Sequence, residues 1–461
     1  MKFLLVTALD KKFVKLWACQ ETSHIGSMLP PSDLCSIASN IRSNGHDAAI
    51  LDLRLFADPV GTYVRKLKEY GPDAVILNIS TTTANDDFRI VSLTPDPVKK
   101  IAFGTHAIAE PGDCFQHGVD FILAGDPEKC IMELADHGLA PDKTRGVISK
   151  DTVIEGFKPL YEEDLDHFPL PALDLVDLDR YHTLFVKNRR FSVILGSRGC
   201  HFECNFCLMP CLFGAKIRQR SAKNIIDEMK RDFEMFKVRD FVFLDATFNS
   251  SESRVFDICE EIDRNKMNFV RWSCNMRVSP VSGALLKAMK RSGCQRIFYG
   301  VEDAGLLNEI NKNITFEQIK KAFYLTRKHR IEAGAFLMLF PNGAVSEADY
   351  TAKIVRLIKE IKADMFQCNV AIPFPGTAMY KKMKNDLSGN WSLYDPNGTC
   401  LPYSSPVDLV SVKNSVYLKI ALSSPRIVLR TLLTANREDL IYVIKKFIAM
   451  IRKGKKGRWK K

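Results

Sequence analysis

Three cysteines, Cys200, Cys204 and Cys207, stand close together in the stretch GSRGCHFECNFCLMPC, residues 196–211. Thiols at this spacing can share a zinc ion, close a disulfide, or hold an iron–sulfur cluster. Zinc wants a fourth Cys or His, usually from a second paired half. His201 or Cys211 could supply one ligand, but the chain has no second C-x-x-C pair. Three thiolates on a 4Fe–4S cluster would leave one iron open to a ligand that is not protein. The chain has 13 cysteines and starts with a short apolar run, MKFLLVTALDKKF, without a small-residue cleavage site. That start reads as a strand rather than a signal peptide. The expectation is a cytoplasmic protein with reduced thiols, where clustered cysteines favour metal over disulfide.

The elements that must position this loop follow from periodicity. Residues 1–135 alternate short apolar runs with helical patterns, which predicts an α/β fold with a parallel sheet covered on both faces. Ligands of such sheets bind beyond the carboxyl ends of the strands. The loops there contain Ser80 and Thr81, Gly104 and His106, and Gly125. No Gly-x-Gly-x-x-Gly nucleotide fingerprint is present. A Pro-, Asp- and Leu-rich connector follows. From Phe191 six strand–helix steps resume over about 190 residues, too few for an eightfold barrel. The predicted organisation is a doubly wound sheet over 1–140, a linker over 141–188, a partial (βα)6 barrel over 189–400, and a helical region with a basic tail over 401–461.

The C-x3-C-x2-C spacing, with the aromatic Phe206 just before the third cysteine, resembles the radical S-adenosylmethionine (SAM) enzymes. The resemblance implies a 4Fe–4S cluster on Cys200, Cys204 and Cys207, with SAM chelated by the open iron. FLDATFNSS is similar to that family's second strand end and implies that Asp245 faces the SAM or substrate space. CNMRVS places Arg277 where it could pair with the SAM carboxylate. IFYGVEDAG resembles a Gly-Val-Glu-Ser segment and implies that Glu302 binds SAM; Asp303 stands where serine is usual. LFPNG, residues 339–343, is an altered form of the segment that packs on adenine, and IPFPGTAMY, residues 372–380, matches the segment after the sixth strand.

The order of sheet, connector and barrel resembles the cobalamin-binding branch over nearly the whole chain. That branch implies cobalamin at Ser80, Thr81, Gly104, His106 and Gly125, and methyl transfer to an unactivated carbon. The alternative is a radical SAM cyclase, rearrangement or oxidation enzyme whose front domain no longer uses cobalamin. Outside the resemblance stands a non-catalytic, metal-stabilised binding protein. There are departures too. The Asp-x-His-x-x-Gly motif is absent, GTHA lacks a second glycine, and Pro95 and Pro97 fall where the branch runs a helix. The resemblance also implies an electron donor such as flavodoxin or ferredoxin.

The net charge of +12 is concentrated in RKGKKGRWKK at the end. Apolar residues of EDLIYVIKKFIAMIRK fall on one helical stripe. The expected role is a helix packed on the barrel with a solvated tail. The sharper alternative is a peripheral membrane-surface contact suited to a lipid-like rather than another small-molecule substrate. No aromatic-interleaved basic platform points to nucleic acid.

Overall fold

Near-continuous apolar runs such as KFLLV and AVILN leave no polar face, so they form strands buried on both sides. The computed structural model describes residues 1–7, 9, 13–16, 19–22, 27–141, 144–183, 186, 190–341, 345–397 and 400–434. The front half runs β1 (Lys2–Val6), a hairpin of β2 (Phe13–Leu16) and β3 (Cys19–Thr22), α1 (Ser32–Ser43), β4 (Asp47–Leu51), α2 (Pro59–Tyr70) and β5 (Ala74–Asn78). It continues with α3 (Ala84–Leu93), β6 (Lys99–Phe103), α4 (Thr105–Ala109), α5 (Pro111–Gln116), β7 (Phe121–Leu123), α6 (Pro127–Asp136) and β8 (Val147–Ile148). The sheet order is β4-β1-β5-β6-β7-β8. All pairs are parallel except the last. One apolar cluster covers each face. The strand order reverses between β1 and β5, where open α/β sheets bind ligands.

One local expectation changes. A helix, α3, does follow β5, because Pro95 and Pro97 fall just beyond its end at Leu93. The first helix is not capped by Ser32 or Asp33. Its N-cap is Pro31, and Asp33 instead accepts hydrogen bonds from the Leu34 N–H (2.9 Å) and Asn78 Nδ2 (2.8 Å).

The second half is built from β9 (Phe191–Ile194), β10 (Ser197–Arg198), α7 (Met209–Phe213), β11 (Arg218–Gln219), α8 (Ala222–Phe236), β12 (Asp240–Phe243) and α9 (Glu252–Arg264). Then come β13 (Arg271–Met276), α10 (Gly283–Arg291), β14 (Cys294–Gly300), α11 (Phe316–Lys328), β15 (Glu332–Leu339), α12 (Glu347–Glu360) and β16 (Met365–Val370). Six parallel strands lie in the order β16-β15-β14-β13-β12-β9, an open barrel around one apolar core. Its helices α8 to α12 start at Ser221, Ser251, Ser282, Thr315 and Ser346, each accepting a hydrogen bond from a backbone N–H of the first turn. Such caps satisfy orphan donors and fix where each loop ends. Three further helices follow, α13 (Ala378–Met383), α14 (Leu409–Ser423) and α15 (Pro425–Thr434). The stripe and basic tail beyond residue 434 lie outside the described residues. No described helix is long and apolar enough to cross a membrane.

The connector is a strap. Its 3-10 turns bury Leu165, Leu173 and Leu178, and the last two join the barrel core. Beneath it a buried ion network joins the halves. Arg198 lies 2.9 Å from Asp126 and 2.6 Å from Glu128, and Arg218 pairs with Asp126. The Glu162 N–H of the strap donates to Asp126 at 2.7 Å. Burial opposes the charge of Asp126, but Arg198 and Arg218 outweigh it and hold the carboxyl below its ordinary range.

Candidate active site between barrel and front sheet

β9 ends at Ile194, and the loop that carries the cysteines leaves from there. Asp245, at the end of β12, is fully buried. It accepts from the Gly196 N–H (2.8 Å) and the Ser197 hydroxyl (2.7 Å) and lies 3.1 Å from Arg254 Nη2. Its carboxylate therefore fixes the root of the cysteine loop. The far side of the loop is tied to the segment after β14. The Asn205 N–H donates to the Ile310 carbonyl (3.1 Å), and Asn311 Nδ2 donates to the Glu203 carbonyl (2.9 Å). The Met379 N–H donates to the Asn205 carbonyl (2.8 Å).

The thiols are unpaired. Cys207 is pushed up to about 11, mainly by burial and further by Cys204 and Cys200, while Lys312 acts the other way. A single zinc ion needs donors about 2.3 Å from one point. Among the described residues no group of three or more His, Cys, Asp or Glu forms such a site. A 4Fe–4S cluster spreads its thiolates over separate irons, which suits a loop of three reduced cysteines. Cations stand against it. Arg277 Nη1 is 4.0 Å from Cys204 Sγ, and its guanidinium lies over the Phe202 ring at 3.6 Å. Arg277 also donates to the Lys312 carbonyl. Lys312 Nζ lies 2.8 Å from Glu302 Oε1 and 5.8 Å from the Phe206 ring. Phe206 packs edge-on against Phe340 at 5.7 Å. Glu302 itself sits at φ +57°, an uncommon backbone for a residue with a side chain.

Arg277, Glu302 and Phe206 are thus drawn to the thiol loop, while Asp245 reaches it through the backbone. The sequence did not single out Lys312 or Asn249. Asn249 accepts from the Arg277 N–H (2.9 Å) and donates to the Arg277 carbonyl (3.0 Å), which sets that arginine's entry into the site.

The carboxyl edge of the front sheet is different. Thr7, Asn78 and Thr105, at the ends of β1 and β5 and just after β6, each have a buried side-chain oxygen with no hydrogen-bond partner. Ser80 bonds Thr83 (2.9 Å), and His106 bonds Thr81 (3.3 Å) and Asp113 (3.0 Å). Gly104 has φ +106°, and a Cβ there would lie 2.7 Å from the Ile79 carbonyl oxygen. Gly125 is turned away from this group and bridges to Leu160 of the strap. Trp391, far along the chain, donates to Asp113 (2.8 Å) and meets the His106 ring edge-on at 4.9 Å. Neutral oxygens left unsatisfied at a switch point suit a large ligand rich in amides, which is the polar character of cobalamin.

The two edges meet. Gly376, on the loop after β16, packs against both halves: a Cβ there would lie 2.8 Å from Cys211 Sγ and 3.4 Å from Ala109 Cβ. Residues 194–355 match the radical SAM superfamily. This stretch of the chain is a radical SAM domain of that superfamily. Its members use a 4Fe–4S cluster and SAM.

An uncharacterised methyltransferase of Pyrococcus horikoshii is 28% identical over 388 residues, covering 80% of this chain and 82% of its own. Hopanoid C-3 methylase of Methylococcus capsulatus is 25% identical over 415 residues, covering 85% and 77%. Among solved structures, the radical SAM methyltransferase TsrM from Kitasatospora setae, with cobalamin and a 4Fe–4S cluster bound, superposes with TM-score 0.65 at 19% identity, over 83% of this chain and 74% of that one. The cobalamin-dependent radical SAM enzyme OxsB gives 0.62 at 17%, over 91% and 61%. At these identities the two structures establish a shared fold.

Proposed function

We propose that this radical SAM protein is a cobalamin-dependent methyltransferase acting on an unactivated carbon of a small molecule. The observation that carries the reading is the juxtaposition of the cationic thiol loop with a front edge holding three unsatisfied neutral oxygens. When bound, the cluster would supply the electron that splits SAM, and cobalamin would supply the methyl group. Cys200, Cys204 and Cys207 would hold the cluster. Arg277 and Lys312 would face the SAM carboxylate and the cluster's negative charge, and Glu302 would take the amino group or ribose. Phe206 would wall the site against water. Ser80, Thr81, Gly104 and His106 would hold cobalamin, with Gly125 backing the edge from the strap side. The names of the two curated relatives support methyl transfer. The hopanoid methylase makes a lipid-like substrate the first class to try. A flavodoxin- or ferredoxin-type donor would deliver the electron, and contact with a membrane surface through the basic tail would suit such a substrate.

One observation favours a second reading. Trp391 and the Tyr394 carbonyl, the latter accepting from Thr82 at 2.9 Å, occupy part of the front edge. A chain that fills this edge itself would be a radical SAM enzyme of ring closure or oxidation. Oxygen-free reconstitution with iron, sulfide and hydroxocobalamin, followed by desalting, separates the two. About four irons and one cobalamin per chain is the expected result. Four irons without cobalamin would remove methyl transfer and leave the radical chemistry.

A further inference from the structure

The opposite mouth of the barrel is polar in a way that chemistry at the thiol loop does not use. Strands β12 to β16 begin there, and together with α11 and α15 they enclose a cavity of about 480 Å³. Its wall carries six arginines and three carboxylates, an excess of three positive charges. The carboxylates are already committed. Asp240 is gripped by Arg271 at 2.9 and 3.0 Å. Glu332 is gripped by Arg296 at 2.9 and 2.6 Å. Asp364 is shared by Arg426 (2.6 Å) and Arg430 (2.8 Å). Arg327 and Arg330 have no carboxylate partner among the described residues, and Arg327 Nε is buried with no hydrogen-bond partner.

Like charges gathered around one cavity repel, and an anion inside it relieves both the repulsion and the unmet donor. Guanidinium forks match the oxygens of phosphate in pairs. A phosphate monoester carries close to two negative charges at neutral pH, and a diphosphate carries more, so either fits the surplus. The volume lies in the range of small-ligand pockets, about 300–1,000 Å³, so there is room for an organic group beyond the phosphate. Four of the six arginines serve the three strand-end carboxylates, which leaves Arg327 and Arg330 over. We propose that this floor of the barrel is a second binding site, for a phosphate ester or diphosphate, separated from the thiol loop by the length of the strands, roughly 15–20 Å. It stands independently of the methyl-transfer reading.

The test uses the full chain, reconstituted with its cluster. Calorimetric titration with pyrophosphate and with glycerol phosphate reports soluble anions, and co-sedimentation with phosphatidic acid vesicles in phosphatidylcholine reports a lipid headgroup. Each is repeated on the Arg327→Gln/Arg330→Gln variant, with SAM cleavage as the control for folding. The expected result is saturable binding, one per chain, weakened at least about tenfold in the variant, with SAM cleavage unchanged. Binding of the soluble probes assigns a free phosphate compound. Binding of vesicles alone, lost in the variant, assigns a lipid phosphate. Absence of saturable binding by every probe, or binding that the variant keeps in full, overturns the proposal.

Discussion

The barrel and the front sheet both present the carboxyl ends of parallel strands to the same space, but with opposite chemistry. The barrel edge is charged: Arg277, Lys312 and Glu302 stand around three thiols. The front edge is built of hydroxyls, an amide and a histidine bonded to Asp113. On the proposed function, one fold principle serves two kinds of ligand. A charged cluster with a sulfonium cofactor calls for fixed ions, whereas a large neutral macrocycle calls for many weak donors and acceptors.

The sharpest way to break this contrast is Cys204→Ala. Iron content and 5′-deoxyadenosine formation should fall to background, while cobalamin retention stays near wild type. Equal loss of both would mean that the edges are not separate sites. Next is Arg198→Met, which leaves Asp126 and Glu128 short of a buried partner. Urea denaturation should show a loss of about 3–5 kcal/mol. Because the Asp126 carboxyl is held below its ordinary range, its contribution is complete above about pH 5 and is lost as pH falls through its folded value. The gap between wild type and variant should accordingly narrow on acidification. A gap that widened would contradict the assigned direction.

Lys312→Met should weaken SAM binding about tenfold or more, read by equilibrium dialysis, since a charge-assisted contact is lost and Glu302 is left without its cation. Gly104→Ala should lower cobalamin retention by about tenfold, because alanine at φ +106° is strained and its Cβ meets Ile79. SAM cleavage should survive that change. Trp391→Phe should have the smallest effect, about 1 kcal/mol or less in thermal unfolding, from one hydrogen bond to a partly buried carboxylate.

Legibility in the sequence followed the range of the interactions. The cysteine spacing is local, and so are the caps Thr315 and Ser346, since each hydroxyl reaches only three residues along. The alternation of strand and helix likewise predicted both parallel sheets. Lys312 carried no signal, since NKNIT has the composition of an ordinary loop and its meaning depends on Glu302 ten residues away across a strand end. Asn249 was nearer to being found, because it lies in the same FLDATFNSS stretch as Asp245, but its partner is the backbone of Arg277. The two-residue β8 and the strap had no period to read. Gly125 looked like part of a ligand loop from the front sheet alone; the strap claims it, and two barrel arginines claim its neighbour Asp126.

The closing of the front edge by Trp391 also sets a schedule. The Trp391–Asp113 bond spans 278 residues of chain. At ribosomal rates of about 5–20 residues per second, Trp391 emerges some 14–56 s after Asp113. During that interval the front sheet can fold with its edge uncovered, and a large cofactor can enter without any part of the finished protein moving aside.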